Sequence, residues 1–108
     1  MQPIRIYPQY AIILTYDIKP GVHEHYFRWV TNDFLPAMQN RKLYMQHAWH
    51  VVGDNGQPER QIEFITEELD IIKRLIKDPS WKHLEDRLQT FTQNYTFRVV
   101  KYNGSFKI

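Results

Sequence analysis

The chain has 108 residues, 43% hydrophobic and 24% charged, enough apolar mass for one core and too much for wholesale disorder. With no cysteine it excludes a disulfide framework and thiolate chemistry, and its dispersed formal net charge of +2 gives no footprint for nucleic acid. No apolar run reaches the roughly 18 residues of a membrane span, and Met1-Gln2-Pro3-Ile4-Arg5 is no signal-peptide stretch, so no membrane partner and a cytoplasmic location are expected.

Repeats, low-complexity tracts and interior linkers are absent from the sequence, which reads as a single domain over 1–108, with 1–9 a lead-in and 103–108 a tail. Pro3 and Pro8 bracket Ile4 to Tyr7, at best an edge strand. A firm strand follows from Tyr10 to Ile18, rich in β-formers and broken by Lys19-Pro20-Gly21. From about Val22 to Met38 the apolar residues recur at helical spacing. Val22, His23, Tyr26, Phe27, Val30, Phe34, Ala37 and Met38 share one arc, and Pro36 is expected to bend or end the helix near Leu35. Leu43 to Val52 is a second strand, Asn55-Gly56 a turn signal, and Arg60 to Thr66 the returning strand of a hairpin.

A short helix over Glu67 to Lys77 should turn Leu69, Ile72, Leu75 and Ile76 inward. Asp78-Pro79 reads as an N-cap followed by proline in the first turn of a further helix reaching about Gln93, with Trp81, Leu84, Leu88 and Phe91 on its apolar stripe. Tyr95 to Tyr102 is the last strand, and Asn103-Gly104 a turn. The order is β-α-β-β-α-β, an α+β ferredoxin-like arrangement: a four-stranded antiparallel sheet carrying its helices on one face.

Period-2 alternation then assigns the faces of each strand. Ile12, Leu14, Tyr16, Ile62, Phe64, Tyr95, Phe97 and Val99 should meet the helices. The second strand is ambiguous, since either the set with Met45, His47 and Trp49 or the set with Tyr44, Gln46, Ala48 and His50 could face inward. The far face mixes Ile13, Ile65 and Val100 with Thr15, Glu63 and Arg98. It is too apolar for free solvent and too polar for a core, which suits a second copy of the chain. Thr15, Glu63 and Arg98 are the expected dimer-face polar residues, with Glu63 as the partner of Arg98.

Ala11-Ile12-Ile13-Leu14-Thr15-Tyr16, Lys19-Pro20-Gly21, the aromatic helix Tyr26-Phe27-Arg28-Trp29 and the break Asp78-Pro79-Ser80-Trp81 together resemble the dimeric α/β-barrel superfamily. In that superfamily two ferredoxin-like subunits close their sheets into one barrel. The resemblance spans about residues 10 to 102 as a pattern rather than a catalytic signature. It implies a homodimer with a ligand space between helices and sheet. Among the activities it implies are cofactor-free monooxygenases of the antibiotic-biosynthesis type, isomerases and cyclases, alongside non-catalytic ligand-binding domains.

Within that frame His23, on the apolar arc of the first helical turn, is the candidate general base, against a plain reading as a half-buried, backbone-satisfied histidine. Tyr16, Tyr26, Trp49, His47 and His50 are candidate substrate-binding residues, against a purely structural role as core or interface mass. No metal site is expected: His47 and His50 fall on opposite faces of a regular strand, and His23 and His25 lie about 200° apart on a helix. No cofactor is expected either. Ser80 and His83 lack an acid and an oxyanion feature, so Ser80 reads as first-turn helix chemistry. The first strand has no Asn of the kind used by haem-degrading relatives, and the third strand lacks the aromatic motif of RNA-recognition domains. Two readings stay open. One is a small-molecule enzyme acting on an aromatic or polyketide-like substrate, and the other a non-catalytic ligand-binding or assembly module.

Overall fold

The structure, a computed structural model, describes residues 6–50 and 59–102, apart from the side chains of positions 49 and 50. The turn expected at Asn55-Gly56, the tail 103–108 and most of the lead-in lie outside the described residues; positions 6–9 form no strand. Four strands, β1 (Tyr10–Ile18), β2 (Tyr44–His50), β3 (Arg60–Thr66) and β4 (Thr92–Lys101), make one antiparallel sheet in the order β2-β3-β1-β4. Between β1 and β2 run α1 (His23–Trp29), a π-helical turn (Val30–Phe34) and α2 (Leu35–Asn40). Between β3 and β4 run α3 (Leu69–Lys77) and α4 (Pro79–Phe91).

One core joins the two layers. Ile12, Leu14, Tyr16, Ile62 and Phe64 from the sheet meet Tyr26, Phe34, Met38, Ile72, Leu75, Trp81 and Leu88 from the helices, all buried. Each such apolar side chain contributes about 1.5–3 kcal/mol on leaving water. The alternation of β1 and β3 is the one the sequence implies. Ile76, expected inward, is 54% exposed, because the short α3 rests on the sheet along one narrow stripe, Ile72 and Leu75.

Pro36 does not end the first helical region. Lacking an N–H, it cannot close the bond to the carbonyl one turn back, and its ring crowds that carbonyl. The helix widens just before it: the amide of Leu35 reaches Val30 O in an i→i−5 bond. The chain then continues helically to Asn40, with Phe34 and Met38 both fully buried.

A bulge settles the ambiguity of the second strand. Tyr44 pairs with Ile65 and Met45 with Phe64, yet His47 pairs with Glu63, leaving Gln46 as the extra residue. Because one inserted residue flips the alternation, neither sequence set holds throughout. Met45 and Ala48 fall in register with the helix-facing Phe64 and Ile62, whereas Tyr44 and His47 join the open face.

α4 begins as the sequence implies. Asp78 Oδ1 accepts from the amide and hydroxyl of Ser80, each at 2.9 Å, with Pro79 in the first turn. It ends two residues early at Phe91, and β4 starts at Thr92 rather than Tyr95. A register shift between Thr15 and Asp17 accommodates Asn94 in the left-handed region, φ 58.

Candidate functional site

Where the β1–β3 ladder stops, side chains take over the backbone's hydrogen bonds. Glu59 donates its amide to Asp17 Oδ1 at 2.7 Å, and Glu59 Oε1 in turn accepts from the amide of Ile18 at 2.9 Å. The second Asp17 oxygen accepts from Asn94 Nδ2 at 2.8 Å. The left-handed turn at Asn94 brings that amide across, and its bond, ahead of the one from Glu59, holds the Asp17 carboxyl below the usual carboxylate range.

The remaining Glu59 oxygen, Oε2, lies 3.4 Å from His23 Nε2 at the start of α1. His23 is therefore at the surface, its side chain 47% exposed. Glu24 and His25 beside it are exposed as well, so the first turn of α1 faces solvent. Beside it the Arg60 guanidinium sits 4.9 Å from the centre of the half-exposed Phe27 ring. Arg60 Nε is buried and donates to nothing among the described residues. The result is a mouth with an imidazole oriented by a fixed carboxylate, a second carboxylate behind it, and a guanidinium with unused donors. Such a group can take a proton at His23 while Arg60 stabilises a developing anion.

Tyr16 and Tyr26 lie beneath this mouth. Their hydroxyls share a hydrogen bond of 2.5 Å, the rings meet edge to face at 5.9 Å, and neither side chain has any solvent exposure. Burial, reinforced by the neighbouring Tyr26, pushes the Tyr16 phenol well above its ordinary value. The two hydroxyls satisfy each other, so the pair is a filled wall below His23.

The remaining expected residues lie elsewhere. His47 is on the exposed edge strand opposite Glu63; Trp49 and His50 follow in register with Gln61 and Arg60. Thr15, Glu63 and Arg98 do share the open face: Thr15 Oγ1 bonds Thr96 Oγ1, and Ile13 is flanked by Glu63 on one side and Arg98 on the other. With a whole strand between them, Glu63 and Arg98 form no ion pair among the described residues. Glu59, Arg60 and Asn94 escaped the sequence reading. Glu59 and Arg60 are marked by no motif in the sequence, and nothing local marks the left-handed bend at Asn94. Among the described residues no group of three His, Cys, Asp or Glu could hold a metal ion, and no helix is long and apolar enough to cross a membrane.

Similarity to solved structures decides the architecture. A NIPSNAP family protein from Agrobacterium tumefaciens superposes with a TM-score of 0.63 at 15% identity, over 95% of this chain and 93% of its own. The Arabidopsis thaliana protein At3g17210 gives 0.65 at 13% identity, covering 94% and 99%. The fold is ferredoxin-like. A Bacteroides fragilis protein described as dimeric, of unknown function and ferredoxin-like fold, agrees at 0.56 and 12% identity, over 89% of this chain and all of its own. No family model matches the chain, and no curated protein does.

Proposed function

We propose that this ferredoxin-like chain is one half of a homodimer closed through its open sheet face, and that it is a small-molecule enzyme with His23 as its base. The observation that carries the catalytic reading is the His23–Glu59 pair. A carboxylate already fixed by the Ile18 amide lies 3.4 Å from the imidazole, the arrangement that orients a histidine for proton transfer. Arg60 supplies the complementary cation. A substrate that loses a proton to become a delocalised anion, such as a phenol or an enolisable polyketide-like ketone, fits this polarity. Cofactor-free monooxygenation and isomerisation both start from that step. Substrate contacts from His47, Trp49 and His50 belong to the same proposal, as β2 runs along the side of the barrel a partner would complete.

For the dimer, the support is chemical. Ile13 and Ile65 are only half buried, and Glu63 and Arg98 flank Ile13 without meeting. A second sheet laid across a two-fold axis covers the aliphatics and brings Glu63 of one copy toward Arg98 of the other. The Bacteroides fragilis structure, described as dimeric, shares the fold.

The test is native mass spectrometry of freshly purified protein, followed by His23→Gln and Glu59→Gln variants assayed on whatever small mass co-purifies. The expected result is a dimer carrying a reproducible ligand that the protein turns over, with turnover falling at least about a hundredfold in His23→Gln. Unchanged turnover in that variant overturns the catalytic assignment. A second reading, a binding or assembly module without catalysis, draws on the sealed Tyr16–Tyr26 pair, which fills the space beneath His23. A ligand bound but never converted would select it.

A further inference from the structure

A cleft of about 440 Å³ bounded by the described residues is at the opposite end of the molecule from His23. One wall is the turn between α2 and β2, which carries Arg41 and Lys42; the facing wall is the β3–α3 junction, which carries Glu67 and Glu68. Ile71 and Leu75 of α3 give it an apolar base, and Arg74 and Asp78 close the third side. The two facing walls thus carry opposite charges, and the third side carries one of each.

The basic wall is rigid. Arg41 Nη1 donates to Ala37 O at 2.8 Å, Nη2 donates to Ser80 Oγ, and Nε lies 3.5 Å from Asp78 Oδ2 without completing a hydrogen bond. Three of the five guanidinium N–H groups stay unused among the described residues. Lys42 is held by a C-terminal helix motif, with Leu43 N to Met38 O at 3.0 Å and Lys42 N to Gln39 O at 2.9 Å, and its φ is 65. On the acidic wall Glu67 Oε2 accepts from the amide of Tyr7 at 3.1 Å. The side chains of Lys42 and Glu68 have no hydrogen-bond or ion-pair partner among the described residues.

We infer that this cleft binds a small zwitterion bearing a free carboxylate and a free ammonium, an α-amino acid or a dipeptide. A plain anion would meet Glu67 and Glu68, and a plain cation would meet Arg41 and Lys42. Only a ligand with both charges satisfies both walls, and its side chain then rests on Ile71 and Leu75. The volume is within the range of small-molecule pockets. The site is separate from the His23 mouth, so its fate is independent of the proposed catalysis.

Titration calorimetry of the full chain against the proteinogenic L-amino acids and L-Ala-L-Ala tests this. At least one of these should bind with millimolar or tighter affinity. Its N-acetyl and methyl-ester derivatives should each bind at least about tenfold more weakly, since each leaves one wall's charge unmatched. Lys42→Gln and Glu68→Gln, both exposed and remote from the core, should each weaken binding severalfold with unchanged thermal midpoints. Absence of binding across the whole set, equal binding of the blocked derivatives, or unaltered affinity in both variants would each overturn the inference.

Discussion

Tyr16 and Tyr26 show how much one buried hydroxyl pair decides. Among the described residues each phenol hydroxyl bonds the other, so Tyr16→Phe leaves the Tyr26 hydroxyl buried and unsatisfied, at a cost of about 1–3 kcal/mol. The Tyr16→Phe/Tyr26→Phe double variant should cost clearly less than the sum of the singles, and a urea double-mutant cycle reads the difference. Because burial raises the Tyr16 phenol, and burial with the Glu85 hydrogen bond raises that of Tyr95, the folded state holds both protons more tightly than the unfolded chain. The stability they lend is complete below the unfolded value near 10 and is lost as pH climbs above it. Absorbance at 295 nm should therefore show these two tyrosines ionising only together with unfolding; a smooth ionisation of all seven tyrosines in the folded protein would refute this. The residue types needed at the His23 mouth were partly legible in the sequence. His23 stood out by its place on the first helical turn, whereas its exposure is a matter of tertiary placement. Glu59 was illegible, because its role depends on where the β1–β3 ladder ends and not on anything adjacent in the chain.

At the scale of elements, the strands with plain alternation, β1 and β3, and the Asp78-Pro79 start of α4 could be read directly, since each rests on a short-range rule. The bulge at Gln46 and the π turn before Pro36 could not. Both are one-residue adjustments whose choice is made by tertiary packing, and the π turn leaves Phe34 and Met38 on the core. Two substitutions probe the local rules. Asp78→Ala removes the α4 cap and the anion beside Arg41, and should lower the midpoint of chemical denaturation. Lys42→Gly should stabilise the α2–β2 turn by about 0.5–1 kcal/mol, because φ of 65 is a left-handed conformation that glycine adopts freely. A thermal midpoint that falls in Lys42→Gly would show that the lysine side chain holds the turn by contacts of its own.

For the molecule as a whole, the helical layer covers one face of the sheet and leaves the other to Thr15, Ile13, Glu63, Arg98 and Val100. Strand order and hydrophobic alternation made this asymmetry visible in the sequence; the flanking of Ile13 by two opposite charges required the register. The proposed two-fold closure is a claim about this face. It is tested most directly by sedimentation velocity of the wild-type chain and the Ile13→Asp variant side by side across a range of concentrations. The account expects a concentration-stable dimer for the wild type and a folded monomer for Ile13→Asp, since a buried unpaired carboxylate at the centre of the joined sheets is costly. A wild-type monomer at every concentration, or a dimer that Ile13→Asp leaves intact, would contradict it.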